Sequence, residues 1–157
     1  MTQNLTNHGP KIALFEPDIP QNTAAIMRTC ACLGAKLEII EPCGFSFNDK
    51  RLKRVVMDYM ENKDLIFFKG IDHFLEIKKD QRIILMTTKG SSSYTNFKFD
   101  NNDTILFGRE SAGVPEKLHK IIKNRLKITM VSSKRSLNIA SSVAIVLSEC
   151  IRQIKLI

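Results

Sequence analysis

Short apolar runs alternate with longer amphipathic stretches along the whole chain. Runs such as KIALF at 11–15 and TILF at 104–107 are typical of strands buried in a sheet. The stretches between them carry apolar residues at helical spacing, as in 20–33, where Gly34 follows as a plausible helix end. The predicted strands are 11–15, 37–40, 65–68, 82–86, 104–107 and 126–130, and the predicted helices are 20–33, 49–60, 71–79, a short one after Pro115, and 138–154.

This alternation predicts an α/β fold in which a mostly parallel six-stranded sheet carries helices on both faces. The chain of 157 residues contains no clear linker or repeat, so we expect a single domain spanning residues 1–157. The longest polar connection is 89–102, rich in Ser, Thr and Asn. A loop of that length in a compact domain is often functional.

The apolar pattern also argues against a membrane protein. No apolar run approaches the roughly 18 to 20 residues needed to cross a bilayer. Residues 1–11 are polar and lack the apolar region of a signal peptide. We therefore expect a cytoplasmic protein.

A formal net charge of +8 changes the expected class of partner. Basic surfaces suit polyanions, and nucleic acid is the commonest of these, although a small basic protein with no such partner remains an alternative. Each cluster of basic residues either contacts phosphates or is a solvated face. The two clusters are Lys50, Arg51, Lys53 and Arg54, and Lys117, Lys120, Lys123 and Arg125.

Metal and nucleotide-hydrolysis sites are disfavoured. Cys30 and Cys32 have no second pair and no histidine cluster nearby, so buried reduced thiols are a better interpretation than zinc, and no metal is expected. The seven glycines form no G-x-G, which excludes the dinucleotide fingerprint. Gly108 and Gly113 have P-loop spacing, but Val-Pro follows where Lys-Ser/Thr is required.

Three polar segments remain as candidate chemistry. The first, after strand one, contains Asn22 and Arg28; the second leaves strand five at Gly108 and carries Glu110; the third, 135–138, precedes the last helix. Loops at the carboxyl ends of strands bind ligands in α/β sheets. Each segment alone has an ordinary explanation, because Asn, Thr and Ser cap helices and Glu favours a helix N-terminus.

In order and spacing, the three segments resemble the motifs of the SpoU (TrmH-like) branch of the SPOUT RNA methyltransferases, and the resemblance covers nearly the whole chain. The stretches 40–45, 57–59 and 85–90 also resemble its TrmL (YibK-like) subgroup. The motifs read Asn22 with Arg28, then Phe107-Gly108-Arg109-Glu110 with Gly113-Val114-Pro115, then Arg135-Ser136-Leu137-Asn138.

The resemblance implies a deep C-terminal trefoil knot, a homodimer and S-adenosylmethionine as cofactor. It implies 2′-O-methylation of the wobble nucleotide, cytidine 34 or modified uridine 34, in leucine tRNAs. Methylation at another tRNA position and a non-catalytic tRNA-binding protein of the same fold are the alternatives. The last helix is apolar over much of its surface, as a dimer helix would be.

The resemblance also implies roles for individual residues. The arginine that matches Arg28 is assigned to activating the hydroxyl, but a guanidinium pKa above about 12 leaves little free base, so hydrogen bonding to the developing alkoxide is physically easier. Glu110 would position either Arg28 or the methionine end of the cofactor. The implied catalytic residues are Arg28, Asn22, Glu110, Ser136 and Asn138, and the implied cofactor-binding residues are Met86, Gly108, Ile128, Met130, Ser136 and Leu137.

Two positions depart from the family pattern. Ala24 stands where many relatives have Gly, and Ala140-Ser141-Ser142 stands where the subgroup often has a Ser-Asn pair. The second departure bears on which tRNA position is methylated more than on the reaction itself.

Overall fold

A parallel sheet organises the protein. The computed structural model describes residues 9–134 and 136–154, apart from the side chain of Asn62, so Arg135 of the third motif and most of the polar N-terminal segment lie outside the described residues. Within the described ranges the sheet has seven strands, all parallel, in the order β3-β2-β1-β6-β4-β7-β5. The predicted α/β fold with a parallel sheet is therefore confirmed.

The strands are β1 Lys11–Phe15, β2 Lys36–Ile40, β3 Leu65–Phe68, β4 Ile83–Met86, β5 Ser92–Ser93, β6 Thr104–Phe107 and β7 Asn124–Lys127. The helices are α1 Pro20–Leu33, α2 Lys50–Tyr59, α3 Ile71–Ile77, α4 Glu116–Ile121 and α5 Ile139–Ile154, with short 3-10 turns at Asn62–Asp64 and Tyr94–Asn96. No helix in the described part of the chain is both long and apolar enough to cross a membrane.

Side chains of the central strands alternate between two apolar layers, as the pleat requires. Ile12 and Leu14 of β1 face a core shared with α1, α2 and α5, whereas Ala13 and Phe15 face a second core shared with α3 and α4. Helices therefore cover both faces of the sheet, as the sequence predicted.

The prediction of six strands is wrong because it missed β5. This strand is two serines inside the long polar loop, where neither apolar content nor alternation marks a strand. Its pairing with β7, Ser92 opposite Leu126, comes from tertiary contact alone.

The last predicted strand, 126–130, was placed too late. The structure puts β7 at Asn124–Lys127, and polar Asn124 and Arg125 pair with Ile84 and Leu85 of β4. Ile128 and Met130 leave the sheet and line a cavity instead. Their apolar character therefore reflects the cavity wall rather than a strand.

Helix α1 begins at Pro20 as predicted, but the residues that cap α1 and α4 differ from those that residue type favours. Asn22 and Thr23 do not cap α1, because the N-cap is Ile19 and Pro20 occupies the first turn. Pro fits there since its missing N–H would lack a partner in any case. Pro115 is the N-cap of α4 rather than its first residue. The Asn22 side chain is thereby left available for other contacts.

A buried ion pair lies in the second core. Lys78, 3% exposed, donates from Nζ to the carboxylate of Glu38, 1% exposed, and also lies 3.4 Å from Oγ1 of Thr104. Burial raises the pKa of Glu38, and the hydrogen bond from Lys78 lowers it. Each charge is therefore tolerated because of the other.

We expect Lys78→Met to destabilise the protein by about 3–5 kcal/mol, because it leaves a buried carboxylate without its partner. The double variant Lys78→Met/Glu38→Leu removes both charges and should recover most of that loss. Urea unfolding of the three proteins measures the difference. A double variant no more stable than the single one would contradict this account.

Candidate active site

A cavity of about 580 Å³ opens at the carboxyl edge of the sheet. Because the strands are parallel, the segments that follow β1, β4, β6 and β7 all emerge at this edge. The volume lies within the range of about 300–1,000 Å³ common for small-molecule sites. The start of α5 closes one side, through Asn138 and Ile139.

The cavity combines apolar side chains with exposed main chain. At Gly108 an added Cβ would lie 2.6 Å from backbone atoms of Gly113, so the chain must pass itself closely here. Arg109 and Gly113 exchange two backbone hydrogen bonds, of 3.0 and 2.8 Å, that hold this turn. All six residues implied to bind a cofactor line the cavity: Met86, Gly108, Ile128, Met130, Ser136 and Leu137.

One hydrogen-bonded chain joins the three polar segments. Nδ2 of Asn138 donates to Oδ1 of Asn22 at 3.0 Å, and Nδ2 of Asn22 reaches Oε1 of Glu110 at 3.5 Å. In the sequence, Asn138 is 116 positions from Asn22, and Asn22 is 88 positions from Glu110. Side chains from α1, from the loop after β6 and from the start of α5 therefore form one polar wall of the cavity.

Asn138 has two roles at once. Its Oδ1 accepts from the backbone N–H groups of Ala140 and Ser141, at 2.9 and 3.3 Å, so it caps α5 as its residue type favours. Its amide nitrogen remains free to donate to Asn22. Ser136 lines the cavity two residues earlier and is exposed. The capping and the functional interpretations of this segment are thus compatible.

Asp18 belongs to the site and was missed from sequence. Its backbone N–H donates to Oε2 of Glu110 at 3.0 Å, and its carboxylate accepts from the hydroxyl of Ser111. Burial raises the pKa of Glu110, whereas the hydrogen bond with Glu110 lowers the pKa of Asp18. A proton taken up by this pair therefore goes first to Glu110. The signal was weak: one carboxylate in a proline-rich loop.

Arg109 is held by carboxylates rather than left free. Its guanidinium lies 3.4 Å from Glu16 and 3.7 Å from Asp18. These pairs tie the loop after β6 to the loop after β1. They also partly neutralise the negative charge beside Glu110.

Arg28 is the one predicted site residue that does not line the cavity. It is exposed, and its guanidinium carbon lies 5.0 Å from the ring centroid of Tyr59 on α2. Six positions after Asn22, it is turned about 240° around α1 and lies about 9 Å further along the axis. Within one chain, Arg28 and the Asn22–Glu110 wall are not brought together.

Other lining residues also escaped the sequence reasoning. Thr87 and His119 face each other across the cavity floor, with Oγ1 and Nε2 2.9 Å apart, and Lys89 lies close by. His119 is 7% exposed and looked unremarkable because the three histidines are scattered along the chain. Folding brings it within hydrogen-bond distance of Thr87, 32 positions away in the sequence.

The cysteines only partly match expectation. Cys30 and Cys150 are buried, and burial raises the pKa of each thiol to about 12. Cys32 is exposed, so the prediction of a buried thiol is wrong there. Across 9–134 and 136–154, no three His, Cys, Asp or Glu side chains are grouped as metal ligands would be.

The two basic clusters differ in how many of their positive charges are already paired with other groups of the chain. Lys50, Arg51, Lys53 and Arg54 are exposed, and within the described residues none forms an ion pair. In the other cluster, Lys117 pairs with Asp72 and Arg125 donates to the carbonyl of His119. The cluster on α2 therefore offers more uncompensated charge.

Fold and cavity together define an α/β protein with a ligand site at the carboxyl edge of a parallel sheet. The model of the SpoU rRNA Methylase family matches residues 10–148. The tRNA (cytidine(34)-2'-O)-methyltransferase of Beijerinckia indica subsp. indica is 43% identical over 145 residues, covering 91% of each chain. The protein of the same name from Escherichia coli is 37% identical over 145 residues, covering 91% of this chain and 92% of that one.

Two solved structures are similar to this chain in fold. One that concerns the 2-OH methylation of C/U34 on tRNA is 36% identical, has a TM-score of 0.87, and covers 94% of this chain and 97% of its own. The SpoU methyltransferase AviRb from Streptomyces viridochromogenes, in complex with AdoMet, shares the fold at 21% identity and a TM-score of 0.80, covering 91% of this chain and 59% of its own. The chain belongs to the SpoU methylase family, which confirms the resemblance of the three motifs.

Two substitutions at Asn138 separate its roles. Asn138→Asp keeps an N-cap of similar strength, whereas Asn138→Ala should lose about 1 kcal/mol of stability. Both substitutions remove the amide group that donates to Asn22. Both should therefore weaken the binding of S-adenosylmethionine, the cofactor that the resemblance implies. Thermal unfolding and calorimetric titration measure the two effects. Wild-type affinity in Asn138→Asp would show that the amide contact is dispensable.

Proposed function

We propose that this protein transfers a methyl group from S-adenosylmethionine to the ribose 2′-hydroxyl of nucleotide 34, cytidine or modified uridine, in tRNA, and that leucine tRNAs are its substrates. The Asn138–Asn22–Glu110 chain beside the cavity carries the proposal, because it joins all three family motifs at one wall. Relatives at 37–43% identity that are named for this reaction support it.

The residues present fit the cofactor. Met86, Ile128, Met130 and Leu137 offer apolar surface for an adenine ring, and the close passage at Gly108 leaves main chain rather than side chain against the ligand. Carboxylates near Glu110 suit the cationic end of the molecule. Bound there, S-adenosylmethionine supplies an electrophilic methyl group on a sulfonium.

The protein's own groups orient the reactants. Asn22, Asn138 and Ser136 present amide and hydroxyl groups that can hold the 2′-hydroxyl or the cofactor, and holding the two in line supplies much of the rate. Glu110 contacts Asn22 and Asp18, so within one chain it positions this wall and not Arg28.

Arg28 has a role that requires a second copy of the chain or a large movement. Its guanidinium lies against Tyr59, outside the cavity of its own chain. In a homodimer through α1 and α5, Arg28 of one subunit would serve the site of the other. It would hydrogen-bond the developing alkoxide and anchor a phosphate, as its planar fork suits. We propose this homodimer and this assignment together.

The outer face of α5 bears on the proposed dimer. Val143, Val146, Leu147 and Cys150 are buried within the chain, so much of the apolar character noted from sequence is used in the core. Ile145 remains 37% exposed. Small side chains on α1 permit close approach of another helix.

Three further properties are part of the proposal. Residues 1–157 form a single domain, which the continuous sheet supports. The C-terminal part is a trefoil knot, supported by the insertion of β7 between β4 and β5. The protein works in the cytoplasm, where tRNA is modified.

The deciding experiment is incubation with total tRNA and labelled S-adenosylmethionine, followed by nucleoside mapping. Label on the 2′-oxygen of nucleotide 34 in leucine tRNAs is expected. Label on another ribose would favour methylation elsewhere, and Ala140-Ser141-Ser142 is the departure that makes this alternative worth testing. Cofactor-independent tRNA binding without transfer would favour the non-catalytic alternative.

We expect Arg28→Ala to reduce turnover by at least about a hundredfold, because one preorganised donor to a developing oxyanion contributes about 10²–10³ in kcat. Arg28→Lys should recover little, since it lacks the planar fork. S-adenosylmethionine affinity should stay unchanged, because the proposed contacts of Arg28 are with the RNA hydroxyl and phosphate rather than with the cofactor. Normal turnover by Arg28→Ala would exclude the role.

Mixed dimers test which subunit Arg28 serves. Arg28→Ala and Asn138→Asp are each expected to be inactive alone. If Arg28 acts across the interface, a mixture allowed to exchange subunits should regain activity, because one of its two sites then has both residues intact. No recovery despite measured exchange would place both residues in one chain's site.

The free cations on α2 should bind tRNA phosphates. Each contact with duplex contributes about 0.9 to the slope of log affinity against log salt. Replacing Lys50, Arg51, Lys53 and Arg54 by Gln should therefore reduce the slope by up to about 3–4 units. Lys63→Gln/Lys79→Gln is the matched control, since both lysines already pair with glutamates. An unchanged slope would exclude this surface.

A further inference from the structure

A second concavity is lined by residues outside the three motifs of the proposed active site. Its volume is about 510 Å³, and it is bordered by Glu41, Pro42 and Cys43 and by three phenylalanines. We call it the aromatic groove. It is formed by the segment that leaves β2 and by the exposed side of the edge strand β3.

The three rings of the aromatic groove support one another. Phe47 lies edge-on to Phe67, with centroids 4.9 Å apart at 85°, and tilts against Phe45 at 5.3 Å. Phe45 and Phe47 are half-buried and pack on the core, whereas Phe67 is 40% exposed. The core thus fixes two rings, and the third presents accessible aromatic surface at the sheet edge.

The aromatic groove is connected to the active-site wall by two hydrogen bonds. Gly44 N–H, inside the segment that forms the groove, donates to the carbonyl of Pro17 at 2.9 Å. The next residue, Asp18, donates to Glu110 at 3.0 Å. The segment that forms the groove and the active-site wall are therefore in direct contact through the loop after β1.

Charge around the groove defines how a nucleic acid would lie on it. Phe47 is three residues before α2, whose exposed Lys50, Arg51, Lys53 and Arg54 are positive. Glu41 borders the groove, and its negative charge would repel a phosphate there. Phosphates therefore lie along α2, and a base, with its apolar face and polar edge, enters the groove.

We infer that the aromatic groove holds an unstacked base adjacent to the methylated nucleotide, with stacking on Phe67 as the main contact. The inference rests on the proposed tRNA substrate. It adds that the protein also binds a base next to the methylated nucleotide. Single-stranded RNA is commonly bound by bases splayed onto aromatic side chains. Glu41 adds an acceptor for an exocyclic amino group, which favours cytosine or adenine over uracil.

The test uses Phe67→Ala and Phe67→Trp with tRNA binding measured by filter retention. Loss of one stacked base, worth about 1–3 kcal/mol, should weaken tRNA binding about 5- to 150-fold in Phe67→Ala. Phe67→Trp keeps an aromatic face and should bind close to wild type. Ile77→Ala is the matched control, because Ile77 is also an exposed apolar residue, 56% exposed, outside both sites.

A second arm uses tRNA made abasic, in turn, at each nucleotide that flanks the target. On the correct abasic RNA, wild type and Phe67→Ala should bind equally, since the base that Phe67 stacks is gone. S-adenosylmethionine affinity and thermal stability, measured on each variant, separate misfolding from lost stacking.

Two results would overturn the inference. One is equal tRNA binding by Phe67→Ala and wild type. The other is a loss of binding in Phe67→Ala that stays the same on every abasic RNA. If wild type methylates nucleotide 34 while either result holds, the groove assignment fails and the proposed function stands. If wild type transfers no methyl group to tRNA, both fail.

Discussion

All strands of the described sheet run in one direction, and the position of the candidate active site follows from that constraint. The carboxyl ends of parallel strands lie at one edge of the sheet. Strands β1, β6, β4 and β7 are neighbours, so the segments that follow them lie close together at this edge because of the strand order alone. Asn22, Glu110 and Asn138 meet there although they are far apart in the chain. Close passage of backbone at Gly108 then narrows the edge into a cavity.

The cavity wall is built by residues that also serve the fold. Asn138 stabilises the first turn of α5 with one side-chain atom and contacts Asn22 with the other. Arg109 joins two loops by pairing with Glu16 and Asp18. Such sharing ties the geometry of the wall to the stability of the elements that carry it, so a ligand meets a preorganised surface rather than one it must assemble.

The sequence predicted what depends on local pattern and missed what depends on tertiary contact. The strand at Lys11–Phe15 and the helix at Pro20–Leu33 were predicted to the residue, because burial and periodicity there agree. The serine strand β5 exists only because β7 lies beside it. Apolar Ile128 and Met130 imitated a strand while lining a cavity. The family motifs pointed to Asn22, Glu110 and Asn138, whereas Asp18 carries only a weak signal in the sequence and His119 carries none.

Arg28 belongs to the first motif, but a single chain does not bring it to the cavity with the other motif residues. A spacing of six residues on a helix turns Arg28 away from Asn22, so the motif cannot describe one face of α1. The guanidinium instead lies over Tyr59 on α2, on the side of the protein that carries the free cations. The proposed homodimer would explain why a residue of the proposed motif lies against an aromatic ring outside the cavity of its own chain. The α1 surface then belongs to two sites: its Asn22 face to one, and its Arg28 face to the other.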